Sequence, residues 1–537
     1  MIADEHVPVL IVGGSLVGLS TSLFLAQHAV DHLVVERHPG TAIHPRAAGF
    51  LQRTIETYRS AGIEDEVIAA SEKEFLQNGA IMSVKSLGGE ELEWYFRSIN
   101  DGVEHLSPSP RLFITQVGLE PVLKERAAEL GARLEYGAEV TSLEAGEVGA
   151  TAVVRDRETG TERTVEARYV VAADGTHSPL RQKLGIGQTG HGTFSESITI
   201  YFRADVRQLI GDRNLSVVYV FGPRVQGFFR FSLDGQAGFL AVNSAVDESG
   251  ELSRRLWDDT SAEKCTEYVR EALGAPGELP VEIESVQKWN AEANWADRFR
   301  EGCAFIAGDA AHVMPPTGGF GGNTGVHSAH NLAWKLAFVL HGHAGEALLE
   351  TYDAERRPIA EFTAEQAYMR YVTRLDPSLG TDGLAAYVED ATIDLGYRYR
   401  SQAVVAGDHD DGLLHENPHE PSAAPGTRAP HVWLEQDGAR ISTLDLGGTQ
   451  LALVAGPDGQ AWCEAAKEAS GELGVPLAAH RVGPGSLGDV DGRFAETYRL
   501  GASGATILRP DGFIAWRSSD GESPTSVDGA LREILAR

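Results

Sequence analysis

The chain has 537 residues, a formal net charge of −31 at pH 7 and a pI near 5.0. Because such an acidic surface repels phosphate, the charge argues against nucleic acid and anionic membranes as partners. No apolar run approaches the ~18 residues of a membrane-spanning helix, and the N-terminus lacks the pattern of a signal segment, so we expect a cytoplasmic protein.

The N-terminal segment has the pattern of a β-α-β unit. An apolar strand, a glycine turn, a helix with one apolar side and a second strand follow one another within residues 7–38. Gly13 and Gly18 occupy the outer positions of G-x-G-x-x-G, and Ser15 replaces the middle glycine. Glu36 follows the second strand, at the distance where a carboxylate binds a ribose 2′-hydroxyl. The pattern favours a nucleotide site, although glycine turns also serve simple helix packing.

Two later strands end in a glycine beside an aspartate. The strand at residues 169–173 leads into Asp174 and a helix, and the strand at 304–307 leads into Gly308-Asp309 and a Pro/Gly loop before another helix. Each aspartate alone is consistent with a turn or cap residue. Three strand ends directed at one ligand indicate a long cofactor.

Residues 191–281 alternate apolar and polar side chains, which predicts an antiparallel sheet. Residues 76–106 are expected to add to it. Such a sheet would cover a pocket above the cofactor, with Tyr219, Phe228 and Phe229 facing a planar substrate. A role in the core is equally consistent for each ring taken singly.

The histidines and cysteines do not predict a metal site or a disulfide. His409, His415 and His419 have no defined ligand geometry, so a solvated loop is favoured over a metal site. Three cysteines far apart in the chain fit packing rather than disulfides or zinc. Without a Cys-x-x-Cys pair, Cys463 predicts no redox activity for the C-terminal segment.

The motifs taken together resemble a known family. GGSLVG at 13–18, HPRAAGF at 44–50, ADGTHSPLR at 173–181 and AGDAAHVMPPTGGFGGN at 307–323 are similar to motifs of the class A FAD-dependent aromatic hydroxylases, a group of flavoprotein monooxygenases. Within this family, RAPHVWL at 428–434 and LRPDGFIAWR at 508–517 resemble the polyketide hydroxylases that modify anthracycline-, angucycline- and tetracycline-type aromatics.

The resemblance implies an α/β protein with a Rossmann-like FAD-binding domain, an antiparallel-sheet substrate domain and a C-terminal thioredoxin-like domain. The expected boundaries are 1–75, 107–190 and 282–406 for the discontinuous FAD-binding domain, 76–106 and 191–281 for the substrate domain, 407–430 for a linker and 431–537 for the thioredoxin-like domain.

The resemblance also implies non-covalent FAD, with NADPH or NADH as a transient co-substrate and O2 as the oxidant. Asp309 would bind the ribityl chain, Pro315 and Gly318 would flank the isoalloxazine, and Asn323 would approach its pyrimidine edge. The full set of expected cofactor residues is Gly13, Gly14, Ser15, Leu16, Gly18, Glu36, Arg37, Arg46, Gln116, Asp174, Gly308, Asp309, Pro315, Gly318, Gly319, Gly322 and Asn323.

The implied reaction is insertion of one oxygen atom into a polycyclic aromatic polyketide through a C4a-hydroperoxide of the flavin. Arg374 resembles a position that faces the substrate in the polyketide hydroxylases, and its permanent charge suits stabilisation of a phenolate or peroxide. The alternative is a surface arginine paired with Asp376. Tyr219 is a second candidate, as a phenol that donates a hydrogen bond.

Several alternatives remain open on the sequence. Baeyer–Villiger oxygen insertion uses the same cofactor, and a non-catalytic flavin-binding scaffold would keep the same motifs. A plain NAD dehydrogenase leaves the Gly-Asp loop at 308–325 without a role. We expect no metal, and either a monomer or a homodimer.

Overall fold

The computed structural model describes residues 4–44, 48–246, 249–275, 279–405, 411–518 and 522–537. Within these residues the chain forms a mixed α/β structure with two large sheets in its first part and two small sheets in its C-terminal part. None of the helices in these ranges is long and apolar enough to cross a membrane.

The first part of the chain, up to residue 395, contains most of the regular structure. Its strands are β1 (Glu5–Val12), β2 (His32–Glu36), β3 (Ala80–Val84), β4 (Glu91–Phe96), β5 (Arg133–Tyr136), β6 (Ala138–Ala145), β7 (Ala150–Asp156), β8 (Glu162–Ala172), β9 (Gln188–Arg203), β10 (Leu215–Phe221), β11 (Val225–Phe231), β12 (Ala237–Val246), β13 (Leu252–Ser253), β14 (Glu282–Ala296), β15 (Arg300–Glu301), β16 (Ala304–Ile306) and β17 (His312–Val313). Its helices are α1 (Leu16–Gln27), α2 (Gln52–Ser60), α3 (Glu64–Glu74), α4 (Gln116–Glu129), α5 (Pro179–Lys183), α6 (Arg207–Ile210), α7 (Ala262–Leu273), α8 (Phe320–Leu340), α9 (Thr351–Arg374) and α10 (Asp390–Leu395).

The C-terminal part adds a smaller α/β unit. Its elements are β18 (Trp433–Gln436), β19 (Ala439–Ser442), β20 (Leu451–Ala455), α11 (Gln460–Leu473), β21 (Leu477–Arg481), β22 (Gly488–Asp489), α12 (Phe494–Thr497), β23 (Ala505–Leu508), β24 (Ile514–Arg517) and α13 (Ser526–Ile534).

The first large sheet places several strand ends at one edge. Its order is β15-β16-β8-β1-β2-β5, and β16, β8, β1, β2 and β5 run parallel to one another. Helices α1 and α8 pack together, and apolar side chains of β1 and β8 are buried in the same core. Because parallel strands share a direction, the residues after β1, β2, β8 and β16 meet at one edge, where ligands bind in open α/β sheets.

The second large sheet, which we call the roof sheet, has the order β17-β14-β9-β12-β11-β10-β3-β4. Its strands from β9 to β14 pair antiparallel, as the alternation predicted, and the added strand β3 pairs parallel with β10. The cause is that β3 enters from the distant segment after α3 rather than through a hairpin. One face of the roof sheet packs on α7, and the C-terminal half of α9 lies against the other.

A buried ionic network joins the C-terminal unit to the rest of the protein. Glu355 on α9 pairs with Lys335 on α8 at 2.7 Å and with Arg509, between β23 and β24, at 2.6 Å, and all three side chains are fully buried. A second buried pair links Glu56 on α2 to Arg428. Burial of these charges is tolerable because each is paired and hydrogen-bonded.

All three cysteines are buried and unpaired, which confirms the expectation of packing roles. His415 stacks on Phe362 with ring centroids 5.1 Å apart, whereas His409 lies outside the described residues. Within the described ranges, no group of three or more His, Cys, Asp or Glu side chains could hold a metal ion.

Candidate cofactor and substrate site

The turn between β1 and α1 is built so tightly that it needs glycine. Gly13 has φ of 107°, and a Cβ there would collide with the carbonyl of Ala173. A Cβ on Gly18 would collide with the carbonyl of Gly13. Leu16 is the buried first residue of α1. The open end of α1 therefore presents bare amides, the arrangement that binds a pyrophosphate at a helix N-terminus.

Glu36 stands directly beside this turn, as the spacing predicted. Its Oε2 accepts a hydrogen bond from the amide of Gly14 at 2.7 Å, and its Oε1 accepts one from the amide of His38 at 2.8 Å. The carboxylate is largely buried. The next residue, Arg37, has an exposed side chain.

Glu120, which no sequence motif indicated, connects two of the predicted residues. The Ser15 hydroxyl donates to Glu120 Oε1 at 2.6 Å, and the side-chain amide of Gln116 donates to the same oxygen at 3.1 Å. The amide of Ala42 donates to the other oxygen at 2.7 Å. Glu120 is fully buried on α4. It lies 105 residues from Ser15, so no local pattern could have identified it.

Asp174 acts within the structure as a cap residue. Its carboxylate accepts hydrogen bonds from the Ser178 hydroxyl at 2.5 Å and from the amide of Leu180 at 3.1 Å, at the start of α5. Burial raises the pKa of Asp174, and these hydrogen bonds act in the opposite direction. Nearby, Arg181 donates to the carbonyl of Ala310 at 3.0 Å, which ties this segment to the Gly308-Asp309 turn.

Gly308 and Asp309 form a 3-10 turn after β16, next to the first turn of α1. A Cβ on Gly308 would lie too close to Val17. The Asp309 side chain is exposed at the edge of the sheet, and the Thr176 hydroxyl donates to it at 3.4 Å. The structure therefore brings the turn after β1, Glu36, Asp174 and Asp309 to one edge.

The loop at 308–325, which we call the glycine-rich passage, runs from this edge to the roof sheet and back. β17 pairs with β14 of the roof sheet, and the chain then passes the buried Pro315 and enters α8 through Gly318 and Gly319, which have φ values of 87° and 69°. Gly322 lies in the first turn of α8 and is half-buried. The passage thus joins the two large sheets with backbone that carries few side chains.

Asn323 holds the loop before α2 against the start of α8. Its Oδ1 accepts from the amide of Leu51 at 2.9 Å and from the Thr54 hydroxyl at 2.7 Å, and its amide nitrogen donates to the carbonyl of Gly49 at 3.1 Å. The side chain is almost completely buried. Arg46, expected in the same loop, lies outside the described residues.

The roof sheet presents a strongly aromatic surface on the side of α9. Tyr219, Phe228, Tyr95 and Trp289 belong to one apolar cluster with side chains from the end of α9. Phe229 points to the opposite face and packs with the core around α7, so of the two roles considered for this ring the structure shows the one in the core. The reason is the alternation of side chains along β11, which places neighbours on opposite faces.

Tyr219 and Arg374 meet on this aromatic surface. The Tyr219 ring packs edge-on against Tyr95 with centroids 5.9 Å apart, and the Arg374 guanidinium lies 5.2 Å from the centroid of the same Tyr95 ring. Burial raises the pKa of Tyr219, and the Arg374 charge acts in the opposite direction. Asp376 pairs with Arg254 instead, so the surface pairing considered for Arg374 was wrong.

Comparison with known proteins identifies the family. Residues 6–367 match the FAD binding domain family, and residues 422–537 match the family described as aromatic-ring hydroxylase, C-terminal. The chain belongs to the FAD-dependent aromatic-ring hydroxylases. The resemblance seen in the sequence motifs is therefore confirmed.

Relatives within this family are named for different aromatic substrates. A 4-methyl-5-nitrocatechol 5-monooxygenase from Burkholderia is 50% identical over 99% of this chain and 98% of its own length. A tetracenomycin A2 monooxygenase-dioxygenase from Streptomyces glaucescens is 40% identical over 100% of this chain and 97% of its own length. The crystal structure of aklavinone-11 hydroxylase with FAD and aklavinone superposes with a TM-score of 0.92, at 38% identity, covering all of both chains.

FAD is the cofactor of this family, and NAD(P)H and O2 are its usual co-substrates. The residues of this chain fit FAD on structural grounds. The β1-α1 turn leaves no room for side chains larger than hydrogen at Gly13 and Gly18, and the sheet edge beside it carries Glu36 and Asp309. An elongated dinucleotide is the ligand that such an edge accommodates.

Proposed function

We propose that the protein is an FAD-dependent, NAD(P)H-consuming monooxygenase that hydroxylates an electron-rich phenolic ring held between the roof sheet and the flavin. The observation that carries this proposal is the pairing of Tyr219 and Arg374 on the aromatic surface of the roof sheet. The glycine-rich passage connects that surface to the sheet edge that fits FAD.

The cofactor residues follow from the edge of the first sheet. The β1-α1 turn, with Gly13, Gly14, Ser15, Leu16 and Gly18, would bind the pyrophosphate, and Glu36 the adenosine ribose. The remaining contacts proposed for the cofactor are Arg37, Arg46, Gln116, Asp174, Gly308, Asp309, Pro315, Gly318, Gly319, Gly322 and Asn323. Bound FAD supplies the oxygen-activating chemistry, and the protein supplies position and exclusion of water.

Arg374 and Tyr219 would activate the substrate. A phenol is attacked at carbon more readily as its phenolate, so a fixed positive charge beside the ring oxygen favours the reactive form. A guanidinium is a permanent positive charge. Tyr219, with its pKa raised by burial, stays neutral and donates a hydrogen bond.

We propose a polycyclic aromatic polyketide as the substrate. The large aromatic surface and the similarity to the tetracenomycin and aklavinone enzymes support this assignment. The second candidate is a single-ring nitrocatechol, favoured by the 50% identity to the 4-methyl-5-nitrocatechol enzyme. A nitro group makes a phenol more acidic, so the same arginine suits both substrates.

The finer features of the fold are part of the proposal. The parallel β1-α1-β2 unit supports a Rossmann-like FAD-binding domain with the boundaries given above. In the C-terminal unit, the order β21-β20-β23-β24 with α11 between β20 and β21 supports a thioredoxin-like domain after a linker at 407–430. We propose a monomer or homodimer.

The test is NADPH consumption by the purified flavoprotein with aklavinone and, separately, with 4-methyl-5-nitrocatechol. Turnover of aklavinone with gain of one oxygen atom would support the polycyclic substrate, and the product structure would distinguish ring hydroxylation from Baeyer–Villiger insertion. Nitrite release from the nitrocatechol alone would overturn the polycyclic assignment and support the second candidate. Stimulation by neither compound would favour a scaffold without catalysis.

The cofactor placement has its own test. Asp309→Ala should weaken FAD retention strongly, because Asp309 is the exposed carboxylate at the sheet edge beside α1. The control is Asp297→Asn, since Asp297 accepts a hydrogen bond from Thr189, on β9, at 2.6 Å. Equal FAD retention by the Asp309 variant and the parent would contradict the proposed ribityl contact.

A further inference from the structure

Arg230 is a buried cation of the roof sheet that the reaction proposed above does not use. It lies on β11, two residues after Phe228 and on the same face, and only 4% of its surface is exposed. Burial lowers the pKa of Arg230 to about 9. Such a desolvated charge is costly, so the position calls for a specific set of contacts.

Two aromatic rings and one carbonyl hold the Arg230 guanidinium. Its central carbon lies 4.0 Å from the centroid of the Phe75 ring and 4.5 Å from that of Phe113. Its Nη1 donates to the carbonyl of Ala48 at 2.7 Å. Among the described residues, Nε and Nη2 have no hydrogen-bond partner. The Ala48 carbonyl is therefore the polar contact that orients the side chain.

No carboxylate of the described residues forms an ion pair with Arg230. The charge of Glu74 raises the pKa of Arg230 against the effect of burial. The two oxygens of Glu74 accept hydrogen bonds from the backbone amide and the hydroxyl of Thr115 at the start of α4. The arginine thus does not serve as an ordinary ion-pair partner. Planar stacking between two rings suits a guanidinium and not an ammonium.

The segment that Arg230 contacts is also held by Asn323. The Ala48 carbonyl accepts from Arg230, the Gly49 carbonyl accepts from the side-chain amide of Asn323, and the Leu51 amide donates to Asn323 Oδ1. Arg230 belongs to the roof sheet, whereas Asn323 belongs to the glycine-rich start of α8. The segment is therefore clamped between the sheet that covers the substrate and the helix end proposed to face the flavin.

We propose that Arg230 is a positioning residue that couples substrate binding beneath the roof sheet to the placement of segment 48–51, which Asn323 at the start of α8 also holds. A substrate contacts Phe228 on the aromatic surface, and the resulting displacement of β11 also moves Arg230, two residues further along the strand. Arg230 transmits this displacement to Ala48 through the hydrogen bond that it donates to the Ala48 carbonyl. This inference rests on the proposed function, because that proposal assigns the substrate to the roof sheet and the flavin to the start of α8.

The first test does not depend on the substrate. Hydrogen–deuterium exchange is measured at the amides of Phe50 and Leu51, which donate to the carbonyl of Leu112 at 2.8 Å and to Asn323 at 2.9 Å. In FAD-bound Arg230→Met, we expect exchange at these amides to be about tenfold faster than in the parent. Arg230→Lys, which can reach the carbonyl but cannot stack as a plane, should give an intermediate rate.

Phe229→Leu is the matched control. Phe229 is the preceding residue on β11 but packs in the core on the other face, so the substitution weakens the sheet without touching segment 48–51. The Phe50 and Leu51 amides should keep their parental exchange in this variant. Equal acceleration in Phe229→Leu and Arg230→Met, at matched thermal stability, would show that Arg230 acts only through the stability of the sheet and would overturn the proposal.

The second test measures coupling itself. NADPH oxidation is measured with and without the compound that the parent enzyme turns over, aklavinone or 4-methyl-5-nitrocatechol. The ratio of the two rates should fall about tenfold in Arg230→Met and remain parental in Phe229→Leu. A parental ratio in Arg230→Met would overturn the coupling role. If the parent oxidises neither compound, the proposed function fails, while the exchange experiment still decides whether Arg230 positions the segment.

Discussion

The carboxylate of Glu36 accepts a hydrogen bond from the amide of Gly14 at 2.7 Å, which joins the end of β2 to the turn that begins α1. The same carboxylate accepts from the amide of His38 at 2.8 Å. Glu36 therefore shapes the nucleotide-binding turn as well as standing where the ribose is proposed to bind. FAD binding should therefore be sensitive even to an isosteric substitution of Glu36.

We predict that Glu36→Gln weakens FAD binding about tenfold to a hundredfold. A glutamine side chain has one oxygen for two backbone donors, so one charge-assisted hydrogen bond, of about 1.5–3 kcal/mol, is lost. Titration of the apoprotein with FAD, followed by flavin fluorescence, measures the effect. Asp31→Asn, just before β2 and largely exposed, should bind FAD like the parent. Parental affinity in Glu36→Gln would contradict both roles.

Local pattern was sufficient for the parts of this site that depend on backbone geometry. Gly13 and Gly18 followed from the turn motif, because a collision with neighbouring carbonyls forbids a Cβ at either position. Glu36 followed from its spacing after the turn. These features lie within one β-α-β unit, where sequence distance and spatial distance are closely related.

Contacts between distant segments could not be predicted in the same way. Glu120 bonds Ser15 across 105 residues, and Arg428 pairs with Glu56 across 372 residues. Asp174 was grouped with cofactor residues by its motif, and the structure assigns its hydrogen bonds to the start of α5. The face of a strand residue also depends on register, which is why Phe228 and Phe229 could not be separated beforehand.

We predict that Arg374→Ala uncouples NADPH oxidation from hydroxylation. Loss of the charge beside Tyr219 leaves the substrate phenol unactivated, so hydrogen peroxide should accumulate while FAD binding is retained. Product formation should fall about 10²–10³-fold, the usual effect of removing one charge-stabilising donor. Peroxide and product yields per NADPH consumed are the measurement.

Two variants define the specificity of that effect. Arg357→Ala, on the same helix but partly exposed and 3.4 Å from Asp353, should keep parental coupling. Tyr219→Phe should lower product formation less than Arg374→Ala, because it removes a neutral donor rather than a charge. Near-parental coupling in Arg374→Ala would show that the flavin and the shape of the pocket suffice.

We predict that Glu355→Gln destabilises the protein by about 3–5 kcal/mol. Glu355 accepts hydrogen bonds from Lys335 at 2.7 Å and from Arg509 at 2.6 and 2.9 Å, and these cations hold its pKa well below the usual range. The neutral amide would leave the buried Lys335 without a carboxylate partner and Arg509 with Asp511 alone. Urea unfolding measures the loss. Glu350→Gln, at a 71% exposed side chain, is the control and should change stability little.

Buried histidines predict how stability depends on pH. Burial lowers the pKa of His312 and of His330 to about 3, from an ordinary value of 6.5. Because the folded pKa is depressed, the unfolded chain binds more protons below about pH 6.5, and stability falls as the pH is lowered through this range. Each histidine contributes a slope of about 1.4 kcal/mol per pH unit between pH 6.5 and its folded pKa.

Asp394 acts in the opposite direction within the same range. Burial raises the pKa of this carboxyl to about 7, from an ordinary value of 3.8, so between these values the folded state holds a proton that the unfolded state has released. Its contribution to stability is therefore present at low pH and lost as the pH rises towards 7. Substitutions at Asp394 and at His312 should consequently change the pH dependence with opposite signs.

We predict that His312→Phe flattens the fall of unfolding free energy between about pH 6.5 and about pH 5, and that Asp394→Asn steepens it, each by about 1.4 kcal/mol per pH unit. The phenylalanine removes a group that only the unfolded chain protonates, and the asparagine removes one that only the folded chain protonates. Urea unfolding at several pH values in this range gives both slopes. A parental slope in His312→Phe would mean that this imidazole is protonated in the folded protein, and a parental slope in Asp394→Asn would mean that the carboxyl is ionised in the folded protein.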